Sequence, residues 1–164
     1  MNRLEVFKPA DAKDITLLKG FLLKPENRQF YGERQSAWVE EKAIPRIENG
    51  DASALVSVVD GSVIGDIVWY DLPNGAREIK NFRIDPSFVN RALGFFTLKQ
   101  AEHEIHTISG EKPTELILDT TVTNIAAVDF FTRYGFVPFG EPKDLYDTGN
   151  LEQMYKLSIS APNA

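Results

Sequence analysis

The chain has 164 residues (18.4 kDa), the size of one domain with a single core, and 43% apolar against 26% charged residues excludes a disordered or fibrous chain. Asp and Glu number 24 against 18 Lys and Arg, a net charge of −6. That argues against nucleic acid or an anionic membrane as partner, because phosphate contacts need concentrated basic charge. With no cysteine there is no disulfide, thiol nucleophile or thiolate metal site, and two histidines, His103 and His106, lead to the expectation of no metal centre. No apolar run approaches the ~20 residues of a membrane span, and the opening Met1–Glu5 does not read as a signal peptide. The expectation is a soluble, cytoplasmic protein forming one domain over residues 1–164.

Leu4, Val6 and Phe7 suggest a short first strand. Asp11 then reads as a helix start, with Ile15, Leu18 and Leu22 at helical spacing. Lys24–Arg34 is polar, contains Pro25 and Gly32, and reads as a loop. A second helix from near Gln35 carries Trp38, Ala43 and Ile44, and Pro45 is expected to end or kink it.

From Ala52 the period changes. Ala54–Val59 and Ser62–Tyr70 flank Asp60-Gly61, which predicts a hairpin through a type I′ turn, since both central positions need positive φ. A second such turn is expected at Asn74-Gly75, leading into Glu78–Ile84, so residues 53–85 form a three-stranded antiparallel meander. Pro86 ends that strand. Phe95, Leu98, Ala101, Ile105 and Ile108 line one stripe of the next helix, which Gly110 and Pro113 stop. Leu116-Ile117-Leu118 reads as a buried strand reached by a crossover, and therefore parallel to its neighbour. Asn124 opens the last helix, with Ala127, Phe130, Phe131 and Tyr134 on its apolar face and Gly135 at its left-handed end. Phe136–Phe139 and Met154–Ile159 close the chain as a hairpin. The fold class is α/β: a mixed sheet, antiparallel meander followed by a parallel strand, flanked by helices. Ligands favour the switch from antiparallel to parallel, here after Ile84.

The stretch Arg83–Phe96 is a strand, a proline stop, a tight loop and a helix start. Such a loop aims backbone N–H groups at one spot at the positive end of a helix, which suits an anion such as pyrophosphate, and Arg91 adds charge. An ordinary strand-to-helix loop is the alternative. Ile84-Asp85-Pro86 followed by Val89-Asn90-Arg91-Ala92-Leu93-Gly94 resembles the acetyl-CoA loop of the GNAT superfamily of N-acetyltransferases. Asn124–Phe136 resembles that family's Asn-x-x-Ala-x-x-x-Tyr-x-x-x-Gly-Phe segment, and Met154-Tyr155-Lys156-Leu157 its closing strand. The resemblance implies a single GNAT-like domain with acetyl-CoA as co-substrate. The backbone of Phe82, Arg83 and Ile84 would pair with the pantetheine arm. The loop from Val89 to Gly94 and on to Phe95 would hold the pyrophosphate, and Asn124, Ala127 and Phe131 would flank the arm.

Two departures from the pattern stand out. Val89 and Ala92 replace the usual Arg/Gln and first glycine of the loop, and an alanine Cβ crowds both a positive φ and a close phosphate. The family's tyrosine acid falls on Phe131, which has no proton to give; Tyr134, one turn on, is the substitute candidate. For the general base the resemblance leaves two candidates, Glu78 on the meander's third strand and Asp119 at the end of the parallel strand. A solvated Glu78 and a chain-turning Asp119 are the plain structural alternatives. His103 and His106 read as surface residues.

The functional expectation is an acetyl-CoA-dependent N-acetyltransferase acting on a primary amine of a small molecule or peptide. The acceptor would enter beside the first two helices and the loop holding Arg28, Phe30 and Tyr31. Phe131 and the altered loop motivate the alternative, a weak or inactive acyl-CoA-binding regulatory module. A third reading is an interaction protein that binds no CoA, forming a homodimer through the closing hairpin. Turnover with an amine separates the first from the second, and CoA binding separates both from the third.

Overall fold

The computed structural model describes residues 3–24, 33–88, 92–110 and 114–159. Among the described residues, seven strands follow the hydrogen-bonding order β1-β2-β3-β4-β5-β7-β6. The chain forms two compact units, Met1–Tyr70 with Lys80–Glu104, and Asp71–Ile79 with Ile105–Ala164; β4 (Arg77–Ile84) contributes to both.

In the first unit, β1 (Leu4–Phe7) pairs antiparallel with β2 (Ala52–Val59), and β2 with β3 (Ser62–Asp71). The β2–β3 turn is of the expected kind: Asp60 and Gly61 take φ of +50° and +81°. Helix α1 (Ala12–Leu22) starts where Asp11 accepts the Asp14 N–H at 2.9 Å. Residues Glu33–Trp38 (α2), a π turn over Val39–Ala43, and Ile44–Glu48 (α3) then run continuously. Pro45 does not end the helical run. The π turn, with the Ile44 N–H bonded to the Val39 carbonyl, places Pro45 in the first turn of a new helical segment, where its missing N–H is harmless. Leu18, Leu22, Val39 and Ile44 pack on Ala54, Val56, Val58, Val68 and Tyr70 to make a core.

The register of β2 and β3 shifts by one residue after Ser57, leaving Ile64 as a bulge. Its carbonyl accepts the Asp85 N–H at 2.6 Å. Beside the bulge, a Cβ on Gly65 would lie 2.6 Å from Ile84 Cδ1 and 2.8 Å from the Arg83 carbonyl oxygen, so the end of β4 lies over a position only glycine fits.

In the second unit, β4 pairs parallel with β5 (Thr114–Thr121) through Arg77↔Leu116 and Glu78↔Ile117. β5 pairs antiparallel with β7 (Glu152–Ile159), and β7 with β6 (Val137–Lys143). The parallel strand is longer than the Leu116–Leu118 expected. The Asn74-Gly75 turn also differs from expectation: Gly75 alone has positive φ (+87°), the Gly75 N–H bonds to the Leu72 carbonyl, and Leu72 N–H to the Ala76 carbonyl. Pro73 fixes the first central position near φ −65°, which selects a three-residue connection closed by a left-handed glycine. Helix α5 (Ile125–Tyr134) is capped by Asn124, which accepts the Ala127 N–H at 3.2 Å, and ends at Gly135 with φ +123°. Helix α4 (Leu93–Ser109) contributes residues to both units.

Candidate active site

In the second unit the two carboxylates singled out from the sequence share one face of the sheet. Glu78 is the register partner of Ile117, and Asp119 lies two residues further along β5, so alternation puts Glu78, Ile117 and Asp119 on the same side. Both carboxylates are half-buried. The Tyr146 hydroxyl, from the β6–β7 connection, donates toward both oxygens of Asp119, at 2.8 Å each. That connection is held in shape by Asp144, which accepts the backbone N–H groups of Thr148 (3.0 Å) and Gly149 (2.9 Å). The same two bonds hold its carboxyl below the usual value. Next to Asp119, buried Glu152 accepts from the Thr121 hydroxyl at 2.8 Å. Burial pushes its carboxyl up, the Thr121 bond opposes this, and the charges of Asp119 and Asp144 push it further up.

Helix α5 presents Phe131 inward, 7% exposed, with its ring edge-on to Phe130 (5.2 Å) and Phe136 (5.4 Å). Tyr134, the last residue of α5, stacks its half-buried ring 6.3 Å from Phe130 and 6.0 Å from Phe136. Asn124 and Ala127 meet at the start of the helix through the capping bond.

In the first unit, Phe82, Arg83 and Ile84 finish β4, all half-buried. Asp85 accepts the Ser87 N–H at 2.9 Å on its side chain and the Phe88 N–H at 2.8 Å on its carbonyl, which turns the chain through a 3₁₀ segment at Pro86–Phe88. Val89, Asn90 and Arg91 lie outside the described residues, as do Arg28, Phe30 and Tyr31. The chain resumes at Ala92, whose φ of +60° is the conformation that favours the glycine it replaces. Its carbonyl accepts the Phe96 N–H at 3.1 Å, so Ala92 caps α4, with Leu93 and Gly94 half-buried in the first turn and Phe95 and Phe96 exposed. Backbone N–H groups in the first turn of a helix point along its axis at the positive end of the dipole, which is what an anion would use.

Sequence reading missed two groupings. Tyr146 is one; it lies between the two closing strands, a stretch with no motif. The other is Asp66 of β3, fully buried, to which the Asn81 side-chain amide donates at 3.0 and 2.8 Å. Burial pushes the Asp66 carboxyl up to about 7, against the Asn81 bond and the Arg83 charge, which both lower it. Its signal was present: a carboxylate interrupts the apolar run Val63–Tyr70. His103 is exposed as expected, whereas His106 is half-buried, with Nδ1 shielded from solvent.

Residues 21–136 match the model of the Acetyltransferase (GNAT) family. The chain belongs to that family. No curated protein matches the sequence. Among solved structures, a GNAT-family acetyltransferase from Staphylococcus aureus Mu50 is 16% identical, with a TM-score of 0.75 over 96% of this chain and 100% of its own. The ribosomal-protein-S18-alanine N-acetyltransferase of Escherichia coli is 14% identical, with a TM-score of 0.71 over 99% and 97%. The PaiA N-acetyltransferase of Thermoplasma acidophilum, solved with coenzyme A, is 19% identical, with a TM-score of 0.67 over 94% and 99%. At these identities the likeness is one of fold. Among the described residues of the GNAT chain, no helix is long and apolar enough to cross a membrane.

Proposed function

We propose that this GNAT protein is a single-domain, acetyl-CoA-dependent N-acetyltransferase that moves an acetyl group to a primary amine of a small molecule or peptide, acting in the cytoplasm. The observation that carries the reading is the pair of half-buried carboxylates, Glu78 and Asp119, on one face of the parallel strand pair in a chain of this family. The amine nitrogen attacks the thioester carbonyl directly, Glu78 or Asp119 takes the amine's proton, and the thiolate leaves. The backbone of Phe82, Arg83 and Ile84 holds the pantetheine arm and Asn124, Ala127 and Phe131 flank it. Val89, Asn90, Arg91, Ala92, Leu93, Gly94 and Phe95 receive the pyrophosphate, where the α4 N-terminus supplies N–H donors. Tyr134 is the helix α5 candidate for the acid that Phe131 lacks. Support for acetyl-CoA as co-substrate comes from the coenzyme A bound in the Thermoplasma relative.

Calorimetric titration with acetyl-CoA, followed by thiol-release assays across a panel of amines, tests this. Micromolar binding that Gly94→Trp abolishes, with thiol release that depends on an amine, is the expected result. Binding without release for any amine would remove the enzymatic reading.

Phe131 favours one second reading, a CoA-binding module without catalysis, because a buried phenylalanine among Phe130 and Phe136 has taken the place of the acid. It predicts saturable binding of acetyl-CoA that Asp119→Asn and Glu78→Gln leave unchanged, and no acetylated product.

A further inference from the structure

Resting on the acetyltransferase reading, we propose that Tyr146 and Asp119 form a proton relay that serves as base and then as acid, with Tyr146 as the catalytic residue that meets the amine. Phe131, at the family's acid position, has no hydroxyl and is buried among aromatic rings. Of the tyrosines on this unit's strands and helix, Tyr155 is buried on β7 and Tyr134 packs its ring on Phe130 and Phe136. Tyr146 differs. It is half-exposed, it sits on the connection between β6 and β7, and its hydroxyl bridges both oxygens of a carboxylate on the face that also carries Glu78.

The geometry sets the direction of proton flow. The Tyr146 O–H donates to Asp119, and a phenol bonded to a carboxylate is a better proton acceptor than a free one. When the amine nitrogen bonds to the thioester carbon, the carbonyl π pair moves onto oxygen and the nitrogen carries an extra proton. That proton passes to Tyr146 Oη as the Tyr146 proton passes to Asp119. When the oxyanion reforms the carbonyl, the C–S bond breaks and sulfur leaves with the electron pair. Tyr146 then gives its proton to sulfur while recovering one from Asp119. The products are an amide and a thiol, and Asp119 is ionised again. One pair thereby supplies both transfers.

Steady-state kinetics on the whole protein, with the best amine from the panel, tests the relay. Tyr146→Phe should lower kcat about 100-fold, in the range general acid–base groups contribute, with the KM for acetyl-CoA within about 3-fold of the parent. Asp119→Asn should cost a similar factor, and the double variant no more than either alone, because the two act as one unit. Thermal midpoints confirm that each variant folds. Should Tyr146→Phe not fold, 3,5-difluorotyrosine at position 146 retains the ring and the hydrogen bond; its less basic oxygen should lower kcat. A Tyr146→Phe enzyme with parental kcat, or a double variant whose loss is the product of the single losses, overturns the relay and leaves the acetyltransferase reading standing. A parent protein that transfers to no amine overturns that reading, and the relay with it.

Discussion

Asn81 places its side-chain amide across the carboxylate of Asp66, 3.0 and 2.8 Å from the two oxygens, and Asp66 has no exposed surface. A carboxyl in this position loses its hydration and is left with one amide and the charge of Arg83, so burial dominates and holds it up at about 7 against an ordinary 3.8. Because the folded value lies above the unfolded one, the native protein retains a proton that the unfolded chain has released across the window from about pH 4 to about pH 7. Stability therefore falls as pH rises through that window and levels off above it, by an amount on the order of 4 kcal/mol for a shift of this size. Asp66→Asn cannot ionise. Denaturant unfolding of both proteins from pH 4.5 to 8 should show the variant gaining on the parent up to about pH 7. A difference that stays constant over the range would refute the buried, protonated carboxyl.

Ala92 at φ +60° holds a Cβ where L-residues are strained by about 1–2 kcal/mol. Ala92→Gly removes that strain and adds some backbone entropy to the unfolded chain, about 0.4–1 kcal/mol in the opposite direction. The expected net gain is about 0.5–1 kcal/mol, read as a higher urea midpoint at unchanged m-value. A loss of stability would show that the left-handed conformation is not what the native chain holds there.

Gly65 lies under the end of β4, and the nearest backbone atom to its missing Cβ is the Arg83 carbonyl oxygen at 2.8 Å. Gly65→Ala should cost about 1–3 kcal/mol, the range for forcing a methyl into a packed site. The second neighbour, Ile84 Cδ1, belongs to a flexible side chain. Adding Ile84→Val should therefore recover little, since the backbone oxygen remains. Full recovery in the double variant would place the conflict in the side chain instead.

How far the sequence discloses this molecule depends on the range of the interaction. Local chemistry was readable: Asp11 and Asn124 cap their helices, Asp60-Gly61 makes its type I′ turn, and Gly135 ends α5, because each effect acts within a few residues. Asn74-Gly75 was misread because Pro73, one residue earlier, changed which turn the chain could make. Pro45 was misread because a π turn upstream absorbed it. Of the site, Glu78 and Asp119 were legible as carboxylates on strands, but their common face follows from the register of β4 on β5. Tyr146 was not legible, since it meets Asp119 across 27 residues through the order of β5, β7 and β6.

Ser57 and Thr97 form a buried hydroxyl pair, 2.8 Å apart, between β2 and α4. Thr97 also lies 2.8 Å from the Leu93 carbonyl, to which its proton goes, so the Ser57 O–H donates to Thr97. The two removals are then unequal. Ser57→Ala leaves Thr97 bonded to Leu93 and should cost about 1 kcal/mol. Thr97→Val keeps the shape but strands the Ser57 hydroxyl in a dry site, at about 1–3 kcal/mol. With Ser57 already alanine, no donor is stranded, so Thr97→Val should cost less than it does in the parent. A double-mutant cycle by chemical denaturation reads the coupling directly, expected at about 0.5–1.5 kcal/mol for a hydrogen-bonded pair. Strict additivity would mean the hydroxyls are neighbours without a bond, and equal single costs would mean that the proton direction assigned through Leu93 is wrong.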